Sequence, residues 1–201
     1  MKNYNELRID QRLIFRFVGT GNRILDLGCG SGELMKALSV EKGVDCTGID
    51  RDPVMVAECI SRQLKVFNLD FNECLESFEE NSFDHVLIYN SLQESRFPEK
   101  VIKESLRIGR SVILGFPNFG YIRSRAQLFF GGRAPVTVSL PGEWYNTDNL
   151  RFLTVNDFVG FTEEKKIQIL KRSFSPWNFL TSLKPNLFAE YAIFMIKTAD
   201  Q

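Results

Sequence analysis

Three glycines at alternate positions, directly after a short apolar run, constrain this chain more than any other feature. The stretch from Ile24 to Leu34 reads Ile-Leu-Asp-Leu-Gly-Cys-Gly-Ser-Gly-Glu-Leu. Glycine permits a sharp turn, the approach of a ligand to bare backbone, and the close packing of a helix on a strand. The pattern therefore predicts a β-strand, a ligand-binding loop and an α-helix, which together form the opening unit of an α/β sheet.

Two acidic residues narrow the choice of ligand for this loop. A dinucleotide-binding loop of the G-x-G-x-x-G type would have glycine where this chain has Glu33. Asp26 lies two residues before the first glycine, where a carboxylate would repel a pyrophosphate but attract an ammonium or sulfonium cation. S-adenosylmethionine carries both cations and no phosphate, so the loop is typical of a class I methyltransferase. The predicted cofactor-binding residues of this loop are Asp26, Gly28, Cys29, Gly30 and Gly32.

Acidic residues also end the second and third predicted strands. Asp50 follows an apolar run, and a carboxylate at that position can accept hydrogen bonds from both ribose hydroxyls. Asp70 is placed to meet the adenine amino group, with Phe71 able to pack on the ring. Aspartate is also a common turn residue at strand ends, which is the alternative explanation for both acids. Arg51 and Asn90, after the second and fourth strands, complete the predicted cofactor-binding set.

Strand and helix patterns alternate up to Phe116, which predicts a doubly wound parallel sheet in one domain over residues 1–201. The predicted strands cover 23–27, 46–50, 65–69, 83–89 and 111–116. Helices are predicted at 8–18, from the glycine loop to about 39, and at 54–63, 72–78, 98–108 and 121–130. A long irregular segment then covers 133–152, and such loops in compact domains are usually functional. Thr154 and Asp157 begin a further helix with a capping box.

Composition and charge exclude several classes of protein. The 25 basic and 25 acidic residues give zero formal net charge, without the basic excess expected of a nucleic-acid or membrane-surface binder. No apolar run approaches the ~20 residues needed to cross a bilayer, and Met1 to Gln11 has no apolar targeting core. The four cysteines form no C-x-x-C pair, which favours reduced thiols over disulfides or zinc ligands. We therefore expect a cytoplasmic protein without a bound metal.

No catalytic group is recognisable in the sequence. His85, the sole histidine, lies within the fourth strand and is expected to be a packed structural residue. Cys29 has no adjacent basic residue that would lower the pKa of its thiol. The Asn-Ser-Leu-Gln stretch at 90–93 occupies the position where class I methyltransferases face their substrates. It lacks the D/N-P-P-Y/F motif of amino-group methyltransferases, so the sequence leaves open whether the protein is an enzyme.

Basic and aromatic residues of the late segment are candidates for binding a substrate or a partner. Three arginines, Arg123, Arg125 and Arg133, flank the helix at 121–130. Together with Tyr121, Phe129 and Phe130 they could bind an anionic substrate or a protein partner. A solvated helix face would explain the arginines equally well. Trp144 and Tyr145 lie on a loop between prolines and are favoured as partner or lid residues. The predicted substrate or partner residues are Gln93, Arg123, Arg133, Trp144 and Tyr145.

Motifs spread over nearly the whole chain carry a resemblance to a known family. They are LDLGCG at 25–30, EKGV at 41–44, RIGR at 107–110, FPNFG at 116–120, GRAPVT at 132–137, EWYNT at 143–147, PNL at 185–187 and AE at 189–190. With these motifs the chain resembles the bacterial methionine biosynthesis proteins of the MetW family, which have the class I methyltransferase fold. The later motifs are more specific than the glycine loop, which many methyltransferases share.

The resemblance implies both a fold and a function. It implies a Rossmann-like, mostly parallel seven-stranded sheet, completed by strands at 167–174 and 191–197 with the last strand antiparallel, and a family-specific segment at about 117–153. It also implies a protein that binds S-adenosylmethionine or S-adenosylhomocysteine and supports a homoserine O-acyltransferase. The alternative is an active methyltransferase for a small molecule, in which proximity and the reactivity of the sulfonium do most of the work. A nucleic-acid methyltransferase is disfavoured by charge and by missing motifs, and a membrane partner is not expected.

Overall fold

The computed structural model describes residues 4, 7–176 and 178–199, which fold into one seven-stranded sheet flanked by helices. The strands are β1 (Arg23–Leu27), β2 (Asp45–Asp50), β3 (Lys65–Asn68), β4 (Phe83–Tyr89), β5 (Gly109–Pro117), β6 (Ile167–Ser175) and β7 (Tyr191–Thr198). The helices are α1 (Ile9–Phe17), α2 (Glu33–Lys42), α3 (Pro53–Ser61), α4 (Phe71–Cys74), α5 (Pro98–Ile108), α6 (Ile122–Gly131), α7 (Val155–Glu164), α8 (Phe179–Leu183) and α9 (Pro185–Phe188). None of the helices in these residues is long and apolar enough to span a membrane.

The strand order places a switch point next to the glycine loop. The order is β3-β2-β1-β4-β5-β7-β6, and neighbouring strands from β3 to β5 pair in parallel. β7 lies between β5 and β6 and is antiparallel to both. The chain winds outward from β1 to β3 and then returns to place β4 on the other side of β1, where open α/β sheets bind ligands. The predicted seven-stranded, doubly wound sheet with an antiparallel last strand is confirmed.

Both faces of the sheet are buried, each by its own group of helices. Leu25 and Leu27 face α4, α5 and α7, whereas Ile24 faces α1 and α2, as the alternation of a strand requires. Phe116 and Phe194 stack at a centroid distance of 6.0 Å within the first cluster. Burial on two faces explains why the central strands read as almost continuous apolar runs.

The segment between α6 and α7 has no regular secondary structure but is anchored by hydrogen bonds. The side-chain amide of Gln127 donates to Val136 O at 3.0 Å and accepts from Val136 N at 2.8 Å. At the other end, the backbone N–H groups of Leu150 and Arg151 both donate to Gln93 O, at 2.9 and 3.1 Å. The irregular segment predicted at 133–152 is therefore attached directly beside the carboxyl end of β4.

Candidate functional site

The three glycines after β1 have different physical roles. All three adopt left-handed φ angles, +75° at Gly28, +53° at Gly30 and +74° at Gly32. A Cβ atom at Gly28 would lie 2.7 Å from Ser91 Cβ, and one at Gly32 would lie 2.4 Å from Leu64 Cδ1. A Cβ atom at Gly30 would meet nothing within 4 Å. Gly28 and Gly32 thus allow close internal packing, and Gly30 presents bare backbone to open space.

The end of β2 holds the glycine loop in place. Asp50 Oδ2 accepts a hydrogen bond from Gly30 N at 2.7 Å, and Asp50 Oδ1 accepts one from Asp52 N at 2.9 Å. Gly28 N and Cys29 N both donate to the same carbonyl oxygen of β2, at 2.8 and 3.1 Å. The carboxylate that sequence assigned to the ribose therefore also preorganises the loop.

Asp26 is a buried carboxylate beneath this loop. Its side chain is only 4 % exposed, near the carboxyl end of β1. Burial, followed by the nearby negative charge of Asp50, raises the pKa of Asp26 to about 7. A cation beside this group would favour its ionised form, because the attraction would offset part of the desolvation cost. The buried acid therefore suits the ammonium or sulfonium group that the sequence pattern suggests.

We expect Asp26 to make the stability of the protein depend on pH. Its folded-state pKa lies above the unfolded value of 3.8, so the folded protein binds more protons than the unfolded chain between those values. The stabilising contribution is complete below about pH 4 and is lost as the pH rises through about 7. Asp26→Asn should flatten this dependence and raise the free energy of unfolding at about pH 8 by a few kcal/mol.

Chemical denaturation of the two proteins across this pH range measures the effect. Asp45→Asn, at the exposed start of β2, is the matched control and should keep the wild-type profile. Parallel stability profiles for Asp26→Asn and the wild type would contradict a raised pKa of Asp26.

The remaining predicted adenosyl-binding residues lie at the same edge of the sheet and also have structural contacts. Asp70 Oδ1 accepts a hydrogen bond from Asn72 N at 2.8 Å and so caps α4. The alternative explanation, that Asp70 is a structural residue of the turn after its strand, therefore accounts for this oxygen. The Phe71 side chain is buried in the core, so most of its ring is committed to packing. Arg51 pairs with Glu94 at 3.5 Å, next to the segment that follows β4.

The thiols near the loop and the sole histidine have packing roles. Cys29 Sγ rests against Gly48, where a Cβ atom would lie only 2.7 Å away. Cys59 Sγ donates to Gly30 O at 3.1 Å. Burial raises the pKa of both thiols, which disfavours their thiolate forms. His85 Nδ1 lies 2.7 Å from Ser111 Oγ inside the sheet, and burial lowers the pKa of the imidazole, as expected for a packed residue.

A polar network beside Asn90 is not evident from the sequence. Asn90 follows β4 with a φ of +60°, and its Oδ1 accepts a hydrogen bond from the Tyr191 hydroxyl at 2.5 Å. The Tyr89 hydroxyl donates to Asp10 Oδ2 at 2.5 Å and accepts a hydrogen bond from Arg8. These groups come from the start of α1, the end of β4 and the start of β7. An asparagine after a strand, which tolerates left-handed backbone, is the only local signal for them.

The predicted substrate or partner residues fall into two places. Gln93 is buried behind the loop, and its Oε1 atom has no hydrogen-bond partner in the described part of the chain. The other four, Arg123, Arg133, Trp144 and Tyr145, are exposed. The Trp144 and Tyr145 rings pack edge to face at 5.6 Å, and Trp144 is 77 % exposed. The structure thus separates one buried residue after β4, Gln93, from four exposed residues on α6 and on the segment after it.

A second exposed pair of aromatic residues lies on α6. Phe129 and Phe130 are 82 % and 84 % exposed, and their rings lie edge to face at 4.9 Å. A hollow lined by Gln127, Arg133 and Trp144, among others, connects the end of α6 to the following loop. We use the name α6–loop surface for the exposed apolar and aromatic side chains of α6 and of the loop that follows it. They are Ile122, Leu128, Phe129, Phe130, Trp144 and Tyr145. Aromatic side chains so exposed are typical of protein interaction sites.

Solved structures with the same architecture define the class of the fold. A S-adenosylmethionine-dependent methyltransferase from Mesorhizobium loti superposes with a TM-score of 0.68 at 14 % identity, covering 93 % of this chain and 97 % of that one. A SAM-dependent methyltransferase from Archaeoglobus fulgidus has a TM-score of 0.64 at 21 % identity, covering 93 % and 90 %. The complex of the Haloferax volcanii Trm112 methyltransferase activator with a putative methyltransferase contains a chain with a TM-score of 0.65 at 15 % identity, covering 94 % and 88 %. The fold is that of class I S-adenosylmethionine-dependent methyltransferases.

Sequence comparison places the chain within that class. The model of the family described as methionine biosynthesis protein MetW matches residues 8–196, and the chain belongs to this family. A curated relative from Rhodopirellula baltica, the bifunctional methionine biosynthesis protein MetXA/MetW, is 32 % identical over 163 residues. This match covers 75 % of the chain and 26 % of the relative, so the chain spans about a quarter of that protein's length. The predicted family is confirmed.

Proposed function

We propose that this protein binds S-adenosylmethionine or S-adenosylhomocysteine at the carboxyl ends of β1, β2 and β4 and supports a homoserine O-acyltransferase in the cytoplasm. The observation that carries the cofactor assignment is the bare backbone of Gly30, which faces open space next to the Asp50 carboxylate. The buried Asp26 lies near the carboxyl end of the neighbouring strand β1. These donors and acceptors fit a cationic adenosyl compound.

Each part of the proposed ligand has residues suited to it. Asp50 would accept the ribose hydroxyls, and Asp70 and Phe71 would border the adenine. Asp26 and Asn90 would face the charged tail, with Asp26 supplying negative charge. When bound, S-adenosylmethionine supplies an electrophilic methyl group on its sulfonium. The chain's own residues contribute binding, orientation and a buried counter-charge.

The relative from Rhodopirellula baltica supports the proposed partner, because it joins MetXA and MetW in one protein. The resemblance to the MetW family links such proteins with homoserine O-acyltransferase. We propose that the acyltransferase docks on the α6–loop surface, near which lie the basic side chains of Arg123 and Arg133. The Haloferax volcanii neighbour, a complex of a putative methyltransferase with the Trm112 methyltransferase activator, is an example of this fold with a protein partner.

The direct test mixes the purified protein with a purified homoserine O-acyltransferase, with and without S-adenosylhomocysteine. Calorimetry should detect binding of the nucleoside, and size-exclusion chromatography should detect a complex. Acyl transfer by the mixture should exceed that of the acyltransferase alone. No co-elution together with an unchanged rate would refute the partner, and no calorimetric signal would refute the ligand.

Asp50→Ala should weaken S-adenosylhomocysteine binding by about 100-fold or more, because hydrogen bonds to a charged acceptor are strong and two ribose hydroxyls would lose theirs. The same change frees the Gly30 N–H group, so part of the loss would come from a looser loop. The control is Asp52→Ala, which removes the side-chain cap of α3 at a cost of about 1 kcal/mol in stability. Its ligand affinity should stay close to that of the wild type. Native affinity in Asp50→Ala would exclude the ribose assignment.

Methyl transfer to a small molecule is the second candidate function. It is favoured by a cavity of about 430 Å³ that adjoins the proposed cofactor site at Asn90. A positioned acceptor can react with a sulfonium without a dedicated catalytic residue. Incubation of the protein with S-adenosylmethionine and a metabolite extract tests this candidate. No enzyme-dependent S-adenosylhomocysteine would exclude it.

A further inference from the structure

Helix α6 stands apart from the rest of the fold. Of its ten residues only Ser124 is buried, and no strand or other helix of the described residues packs extensively against it. It is held by a few hydrogen bonds instead: Arg125 Nε donates to Gly120 O at 2.6 Å, and the Gln127 amide pairs with Val136. Helices in proteins owe most of their stability to the packing of an apolar face. The apolar face of α6 therefore lacks a partner within the described chain.

That apolar face is a stripe with helical spacing. Ile122, Ala126, Phe129 and Phe130 follow the i, i+4, i+7, i+8 pattern of one side of a helix. Ile122 and Phe130 lie eight positions apart, so the stripe extends over about 12 Å. A hollow of about 500 Å³ runs along it, lined by Ile122, Arg125, Ala126, Leu128, Phe129 and Phe130. A stripe of this kind is what an amphipathic helix lays into the groove of another protein.

The charge around the stripe has one sign. Arg123, Arg125 and Arg133 lie on α6 or just after it, and no aspartate or glutamate occurs from 105 to 142. None of these three arginines forms an ion pair within the part of the chain that the structure describes. The whole chain has zero formal net charge, so the basic excess is a local property of α6 and its surroundings. A complementary surface would be acidic.

A second copy of the chain does not offer such a surface through α6 itself. Two α6 helices packed on each other would bring the arginines of both copies to one interface without an acid between them. Juxtaposed like charges disfavour an interface. The proposed function supplies a different occupant, the homoserine O-acyltransferase.

We propose that α6 inserts as a helix into an apolar groove of the homoserine O-acyltransferase, and that the rim of this groove is acidic. The stripe from Ile122 to Phe130 would fill the groove, and the arginines beside it would pair with carboxylates at the rim. The identity of the partner rests on the proposed function, and the inference adds how that partner is held. It assigns the central contact to α6, with Trp144 and Tyr145 at its side.

Calorimetric titration of the purified acyltransferase with this protein tests the insertion at both ends of the stripe. Ile122→Asp and Phe130→Asp should each weaken association at least about 100-fold, because each would bury an unpaired carboxylate in an apolar groove with an acidic rim. Ile60→Asp is the matched control, since Ile60 is also exposed but lies on α3, and it should associate normally. All three variants should keep the wild-type circular dichroism. Native affinity in Ile122→Asp or in Phe130→Asp would overturn the insertion of α6.

The charge of the rim has a separate test. Arg123→Glu should weaken association at least about tenfold. Arg172→Glu, at an exposed position of the edge strand β6, is its control and should leave association unchanged. The affinity of the wild type should fall at least about tenfold between about 50 and about 500 mM NaCl. An affinity that responds neither to Arg123→Glu nor to salt would overturn the acidic rim.

The outcomes distinguish this inference from the proposed function. If the wild type does not bind the acyltransferase, the proposed partner is refuted and α6 loses its occupant. If the wild type and both aspartate variants bind equally well, the partner stands and only the insertion of α6 is refuted. A dimer of this protein alone that Ile122→Asp dissociates would assign α6 to a second copy. Binding to phosphatidylserine vesicles that Phe130→Asp abolishes would assign it to a membrane, and either result would overturn the proposal.

Discussion

Gly30→Val is expected to lower the affinity for S-adenosylhomocysteine by at least about 100-fold while the protein remains folded. A Cβ atom at this position would meet no protein atom beyond the adjacent residues within 4 Å, so the side chain starts in open space. It would project into the space where the proposed ligand contacts the loop. Its cost to the fold is limited to backbone strain at a φ of +53°, about 1–2 kcal/mol.

Gly21→Val provides a matched control for this strain. Gly21 has a φ of +68°, also faces open space, and precedes the opposite end of β1. Both variants should show a similar fall in thermal stability, and only Gly30→Val should lose calorimetric binding. Equal affinities in the two variants would show that Gly30 does not contact the ligand. Equal losses would show that strain, and not occlusion, is responsible.

Replacing Phe129 and Trp144 with alanine together is expected to abolish stable association with homoserine O-acyltransferase. Both side chains are largely exposed, and neither belongs to a core cluster. Exposed aromatic residues are the side chains that most often dominate protein interfaces, and truncating a central one costs at least about 2 kcal/mol. Two such losses would weaken the complex by about 1,000-fold.

Ile60→Ala is the control for this double variant, since Ile60 is 62 % exposed on α3. Size-exclusion chromatography and acyl-transfer rates should distinguish the two proteins, and both should bind S-adenosylhomocysteine normally. If the double variant still associates with the acyltransferase, the docking surface does not lie on α6. An equal loss in Ile60→Ala would indicate a general effect of surface hydrophobicity.

The order and type of the elements up to β5 could be predicted from sequence because their signals are local. The glycine loop after β1 and the Asp52–Pro53 start of α3 each depend on a few adjacent residues. The strands of the central sheet are buried on both faces, so their apolar runs are evident in the sequence. The position of β7 between β5 and β6 could be inferred only through the family resemblance, because strand order depends on contacts between distant segments.

The structure adds structural contacts at two positions of the predicted cofactor-binding set. Phe71 was expected to be available to an adenine ring, and its side chain is largely buried in the core. Asp70 was expected to face the same ring, and one of its oxygens caps α4. Neither outcome could be foreseen, because a sequence pattern places a residue at a strand end without deciding which way its side chain turns.

The sequence by itself determined the glycine loop, the acid at the end of β2 and the family. Each of these depends on residues that are close together in the chain or on short contiguous motifs. Only the tertiary structure decided that Gly28 and Gly32 serve packing while Gly30 stays open. It alone brought Tyr191 to Asn90, across 101 positions of the chain, and placed Glu190 in the wall of a cavity. Such contacts form when strands and helices that are distant in the chain become neighbours in the fold, so no local pattern encodes them.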